Sequence, residues 1–129
     1  MKIYYFYHCF KKKKKMEKKK YISDISDYLG TDITVSISDE VEIVSGYCCD
    51  MLSYALAKLD RDTCWITIMN SINVIAVAKS TGCRCIILAD GIKMSEDVLV
   101  NAELEAICIL SSPQSAFILA GELYEYLKQ

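Results

Sequence analysis

The fold is decided by residues 64–91, which read CWITIMNSINVIAVAKSTGCRCIILADG. The two ends of this stretch, residues 64–69 and 84–89, are short apolar runs without polar alternation, typical of strands that are buried on both faces. Between them, residues 72–78 are almost wholly apolar and have the length of a helical crossover. Because neighbouring parallel strands need such a crossover, the stretch predicts two parallel strands in the interior of a sheet.

The flanking segments continue the alternation of helices and strands. Before the central unit, the pattern predicts a helix over 20–29, strands over 32–37 and 41–45, and a helix over 50–59. After it, a helix follows Ser95, a strand covers 106–110, and Ser112 caps a terminal helix that has Pro113 at its first position. This order predicts one α/β domain over 20–129, with a mainly parallel sheet flanked by helices and right-handed crossovers.

Composition and charge narrow the classes of function. The chain has 129 residues, of which 53% are hydrophobic and 25% charged, as in a globular domain. Residues 1–20 hold nine lysines and one glutamate, whereas residues 21–129 hold six basic and sixteen acidic side chains, a net charge of −10. The acidic body disfavours nucleic acid as a partner. No apolar run reaches the roughly 18 residues of a membrane span, so we expect no membrane either.

Residues 1–19 read as a basic leader outside the domain. Residues 3–10 are apolar and aromatic, and a run of lysines over 11–15 follows them. A secretory signal has its charge before the apolar run, so we expect a cytoplasmic protein. Our hypothesis is that translation starts at Met16 and that the leader is disordered or absent from the native protein. A basic arm for a membrane surface or nucleic acid is the alternative.

The cysteines invite a metal or redox interpretation. They occupy positions 9, 48, 49, 64, 83, 85 and 108. No C-x-x-C pair occurs among them, although this spacing is the usual one for holding a metal or a cluster. Cys48 and Cys49 follow a predicted strand, whereas Cys64, Cys83 and Cys85 stand at strand starts, which is the opposite edge of a parallel sheet. We therefore predict free thiols, no metal and no other cofactor.

The sequence lacks the motifs of common phosphate- and dinucleotide-binding enzymes. It contains neither G-x-x-x-x-G-K-[ST] nor G-x-G-x-x-G. Its one histidine, His8, belongs to the leader, so the body has no imidazole to act as a base or a ligand. We predict no catalytic residue.

A candidate ligand site lies at the carboxyl ends of the parallel strands, where open α/β sheets bind their ligands. Loops rich in Ser, Asn, Asp and Gly lead there into helix N-termini, whose N–H groups suit an anion such as phosphate. The candidate residues are Gly46, Asp50, Asn70, Ser71, Asn73, Asp90, Gly91, Ser111 and Ser112. The alternative is purely structural, with the serines as helix caps and the glycines as turns.

Several segments in order carry a family resemblance. They are GYCCDMLS at 46–53, WITI at 65–68, NVIAVA at 73–78, IILADG at 86–91, and ILSS at 109–112 followed by Phe117 and AGELY at 120–124. Together they resemble the DRTGG domain, above all its small stand-alone members in anaerobic bacteria. The resemblance implies a fold like the N-terminal domain of HPr kinase/phosphorylase, and a regulatory or assembly module that often self-associates. The Thr-Gly-Gly of the family falls at residues 89–91, where the last glycine alone is kept.

Three functions stay open at this point. The first is a non-catalytic regulatory or assembly module that forms a homodimer and binds a small anionic or nucleotide ligand. The second is a subunit of a redox or hydrogenase-linked system that binds a protein partner. The third is an enzyme that uses Asp50 and Asp90 as acid and base.

Overall fold

Helices and strands alternate along residues 18–129, which are the residues that the computed structural model describes. The elements are α1 (Ile22–Leu29), β1 (Asp32–Val35), β2 (Ser45–Cys48), α2 (Leu52–Lys58), β3 (Thr63–Thr67), α3 (Ile72–Thr81), β4 (Cys85–Leu88), α4 (Glu96–Leu104), β5 (Cys108–Ser111) and α5 (Ala116–Lys128). The leader, with His8 and Cys9, falls almost entirely outside this range. No helix in the range has both the length and the apolar character that crossing a membrane requires.

One sheet joins all five strands in the order β1-β5-β4-β3-β2. The strands from β2 to β5 are parallel to their neighbours, and β1 pairs antiparallel with β5 at the opposite edge from β2. The helices α2, α3 and α4 pack on one face, as successive right-handed crossovers require, while α1 and α5 cover the other. The predicted α/β fold with a mainly parallel sheet is therefore confirmed.

Each face of the sheet has its own apolar core. Side chains alternate between the faces along a strand, so residues in one register row share a face. Trp65 and Ile86 are neighbours in such a row and pack under the three crossover helices. The preceding row, with Cys64, Cys85 and Cys108, packs under α1 and α5. Every residue of β3 and β4 is buried, as their unbroken apolar pattern predicts.

The strand predicted over 41–45 is wrong, because β2 begins only at Ser45 and runs to Cys48. The alternating apolar pattern has another cause. Val41 and Ile43 are buried between the sheet and its helical cover. Their backbone groups bond to the start of α1, since the Ile22 N–H donates to the Val41 carbonyl and the Ile43 N–H to the Lys20 carbonyl, at 3.2 and 2.8 Å.

The predicted start of the terminal helix is also wrong. Helix α5 begins at Ala116, and its cap is Ser115, whose side chain accepts a hydrogen bond from the Ile118 N–H at 3.3 Å. The Ser112 hydroxyl instead accepts from the Gln114 N–H at 3.0 Å and so closes a turn before the helix. Pro113 is therefore part of that turn rather than the first helical residue.

Candidate functional site

Asp50 ties the loop after β2 to the end of β3. One oxygen of its carboxylate, Oδ1, accepts hydrogen bonds from the Thr67 hydroxyl at 2.8 Å and the Ile68 N–H at 2.9 Å. Both donors lie where β3 leaves the sheet, so this carboxylate holds the ends of two adjacent strands together. Bonds from a backbone N–H and a hydroxyl to a carboxylate are strong because the acceptor is charged.

The remaining loops of this edge are joined in the same way. The Asn70 amide, after β3, donates to the Lys93 carbonyl, after β4, at 2.9 Å. The Asp90 N–H donates to the Gln114 carbonyl at 2.8 Å, which links the loop after β4 to the loop after β5. The sequence therefore predicts correctly that these loops meet at one edge, and every candidate residue except Gly46 lies in them or beside them.

A recess of about 280 Å³, named the polar recess for its charged and hydroxyl-bearing lining residues, opens at this edge beside β5. Its lining consists of Asp32, Gly91, Lys93, Ser111, Ser112 and Pro113. Gly91, Ser111 and Ser112 are thus brought together as predicted. Asp50, Asn70, Ser71, Asn73 and Asp90 lie along the same edge but do not line the recess.

Three residues of the recess, the charged Lys93 and Asp32 and the apolar Pro113, are absent from the sequence-based candidates. Lys93 follows β4 in the same loop as the candidates Asp90 and Gly91, so its proximity to them in sequence is a signal for its place at this edge. Asp32 arrives through long-range pairing, because it stands opposite Ser111 where antiparallel β1 begins beside the end of β5. No local pattern announces that pairing.

The turn at Asp90 and Gly91 has an unusual backbone. Both residues have left-handed φ angles, 57° and 69°, which an L side chain adopts at some cost in energy. The N–H of Gly91 donates to the Ser112 carbonyl at 2.9 Å, and the N–H of Ile92 donates to the Ala89 carbonyl at 3.1 Å. With the Asp90 N–H also bonded, this turn offers no backbone N–H to an anion.

The start of α3 lacks a side-chain cap. Ser71 stands at the N-cap position, but its side chain makes no capping hydrogen bond. Ser71 and Asn73 are both exposed. Ser71 therefore does not cap α3 with its side chain, which the structural alternative requires.

Gly46 has a different role from the other candidates. It lies within β2, and a Cβ added to it would stand 2.7 Å from Cδ2 of Leu123 in α5. Glycine at this position lets the helix pack directly on the strand, so its place in the sequence reflects close packing rather than a turn.

An apolar groove of about 680 Å³ runs between β2 and α5, away from the polar recess. Its lining consists of Val44, Ser45, Gly46, Cys48, Ile66, Phe117, Ala120, Gly121, Leu123, Tyr124, Leu127 and Lys128. Three large side chains there are unusually exposed, at 61% for Val44, 84% for Phe117 and 65% for Tyr124. Exposed apolar surface of this kind marks contact sites.

The cysteines of residues 18–129 are all free thiols. Cys64, Cys85 and Cys108 are buried side by side across three strands, with the first two sulfurs 3.5 Å apart. Burial raises the pKa of Cys83 to about 11, so its thiol stays protonated at neutral pH. Within the described range, no three His, Cys, Asp or Glu side chains are grouped so that they could hold a metal ion.

The fold and its edge define an open α/β domain whose loops converge at the carboxyl ends of parallel strands, the usual ligand position of such sheets. A similar fold is found in the crystal structure of the CBS and DRTGG domains of the regulatory region of Clostridium perfringens pyrophosphatase, complexed with the activator diadenosine tetraphosphate. The TM-score is 0.66 and the sequence identity 12%. The match covers 79% of this chain but only 45% of that one. At this identity the similarity establishes the fold.

Comparisons by sequence gave no relatives. No protein-family model matches the chain, and no curated protein does.

Proposed function

We propose that the chain is a non-catalytic regulatory module that forms a homodimer and binds a nucleotide-type ligand at the carboxyl edge of its sheet. The observation that carries the proposal is the polar recess, built where the hydrogen-bonded loops meet β1. The similarity to a regulatory region that was crystallised with a nucleotide activator supports the same reading.

The chemistry of the recess favours a nucleotide over inorganic phosphate. Lys93 is the one cation among the described residues that line it, and it forms no ion pair with any residue of 18–129. In a body with a net charge of −10, a phosphate group needs such a local cation. Asp32 would repel phosphate but can accept hydrogen bonds from ribose hydroxyls, as acidic residues do in other nucleotide sites.

The arrangement of the aspartates gives the enzyme hypothesis no support. Asp50 uses its carboxylate to hold Thr67 and Ile68. Asp90 follows β4, and β3 lies between β4 and β2, so the strands that lead to the two carboxyl groups are roughly 10 Å apart. A paired acid and base would need a shared site between them.

The test is thermal unfolding of the purified protein with AMP, ATP, diadenosine tetraphosphate or inorganic phosphate. A nucleotide present at 100 times its dissociation constant should add about 2.7 kcal/mol to the free energy of unfolding. Replacing Lys93 by Gln should weaken nucleotide binding roughly tenfold or more, since a hydrogen bond to a charged group contributes about 1.5–3 kcal/mol.

Lys58→Gln is the matched control, because Lys58 is an exposed lysine at the end of α2 and is not among the recess residues. It should leave the nucleotide response unchanged. The ligand half of the proposal is wrong if no nucleotide stabilises the native protein, or if both variants lower the response equally.

A further inference from the structure

We infer that two copies of this chain pair antiparallel through β2 about a two-fold axis, so that α5 of each copy closes the apolar groove of the other. This pairing presupposes the homodimer of the proposed function and adds the surface that forms it.

The outer edge of β2 presents unpaired backbone groups. The N–H groups of Val44 and Ser45 share the Asp62 carbonyl just before β3, at 2.8 and 3.3 Å, and from Ser45 onward the alternation is regular, with the Cys49 N–H donating to the Ile66 carbonyl at 3.3 Å. Because backbone groups alternate in direction along a strand, the N–H and C=O of Gly46 and Cys48 point away from β3. β2 is the last strand of the sheet as formed by residues 18–129, so nothing in that range pairs with these groups.

The two edges of the sheet differ in how they are protected against pairing. Edge strands commonly carry charges, prolines or bulges that prevent association. β1 carries Asp32 and a register irregularity between Ile33 and Val35. β2 has the sequence Ser-Gly-Tyr-Cys, with no charge and no proline, and its register with β3 is regular from Ser45 to Cys48. Within residues 18–129, the β2 edge is therefore the less protected of the two.

The side chains next to this edge also lack a cover. The apolar groove borders β2, and Phe117 is 84% exposed on its rim. Gly46, without a side chain, leaves room for Leu123 at the groove floor and keeps the strand close to α5. A strand that paired with β2 would bring its own apolar neighbours over this groove.

The charge of the groove suits a second copy as the occupant. The body of each copy, residues 21–129, has a net charge of −10, which the +8 of residues 1–20 reduces to −2 in the full chain, so two bodies repel least where acid is absent. The described lining of the groove contains no acidic side chain and one cation, Lys128. It is therefore a surface on which two acidic bodies can meet.

The geometry of β2 is also self-complementary. In an antiparallel pair centred on Tyr47, Gly46 of one copy stands opposite Cys48 of the other, and both residues have their backbone groups turned outward. Each of these two pairs exchanges an N–H and a C=O, which gives a closed two-fold contact that uses the same surface twice.

The first test is the oligomeric state of the full chain by sedimentation velocity and light scattering at micromolar concentration. The native protein should be a dimer. Phe117→Lys places a charge in the proposed contact and should raise the dissociation constant of the dimer at least tenfold. Leu104→Lys is the matched control, because Leu104 is 77% exposed but ends α4, on the other face of the sheet.

The second test reports strand pairing itself. In the native dimer, amide hydrogen exchange at Gly46 and Cys48 should be slow, and in Phe117→Lys it should become at least tenfold faster. The amide of Tyr47, which bonds within the sheet, should change less. This readout separates pairing through β2 from a dimer held elsewhere.

The outcomes separate this inference from the ligand proposal. A native dimer that persists in Phe117→Lys, or that Leu104→Lys disrupts equally, overturns the contact through β2. Fast exchange at Gly46 and Cys48 in the native dimer overturns it as well. A native monomer overturns the homodimer altogether, whereas nucleotide binding at the recess is measured independently and would stand.

Discussion

At the scale of single residues, the two glycines that line the apolar groove differ in the space around them. A Cβ at position 46 would meet Leu123 at 2.7 Å, whereas a Cβ at Gly121, in the middle of α5, meets nothing within 4 Å. We predict that Gly46→Ala lowers the free energy of unfolding by about 1–3 kcal/mol, as overpacking does. Gly121→Ala should raise it by about 0.5–1 kcal/mol, because alanine restricts the unfolded chain and favours the helix.

Urea unfolding at several protein concentrations measures both changes and separates them from any effect on association. Equal stability of Gly46→Ala and the native protein would mean that Leu123 can move aside without loss. The packing role assigned to Gly46 would then be wrong.

At the scale of elements, Asp50 joins the loop between β2 and α2 to the end of β3. We predict that Asp50→Ala lowers the free energy of unfolding by about 1–3 kcal/mol, because the Thr67 hydroxyl and the Ile68 N–H lose a charged acceptor. Denaturant unfolding measures the loss. Glu103→Ala is the control, since Glu103 is exposed on α4 and its side chain forms no hydrogen bond or ion pair within residues 18–129.

A double-mutant cycle tests whether the carboxylate acts through Thr67. The combined change Asp50→Ala with Thr67→Val should cost less than the sum of the two single changes, because both remove the same hydrogen bond. Strict additivity would show that Asp50 stabilises the edge in some other way.

At the scale of the whole molecule, the buried thiols make stability depend on pH in the alkaline range. The pKa of Cys83 is raised from 9.0 to about 11 by burial, so the folded state keeps its proton where the unfolded state loses it. Stability from this group is complete below about pH 9 and is lost as the pH rises towards 11. Two pKa units correspond to roughly 3 kcal/mol.

Cys83→Ala isolates this contribution. Unfolding free energies measured in reductant should fall less steeply from pH 9 to 11 in the variant than in the native protein. Between pH 6 and 8 the two curves should run parallel, although the variant lies lower because a buried side chain has been shortened. Parallel curves over the whole range would contradict the raised pKa.

The features that local sequence could determine are those with a local cause. Residues 64–69 and 84–89 are apolar at every position because both faces of a central parallel strand are covered, and this pattern predicts β3, β4 and the helix between them. The same logic places the loops of Asp50, Asn70 and Gly91 at one edge, since parallel strands all end on the same side. Hence the α/β class and the position of the candidate site follow from sequence.

Contacts between segments that are distant in the chain decided the features that local sequence did not predict. Val41 and Ile43 have the alternating pattern of a strand, but their backbone groups bond to the start of α1. Gly46 has the sequence context of a turn residue, but it lies in a strand and packs against Leu123. The recess needs Asp32, which reaches Ser111 only because β1 returns antiparallel at the far edge. A local pattern indicates whether a residue is buried. Which segment covers that residue or pairs with it depends on packing across the whole chain, so only the tertiary structure shows the partner.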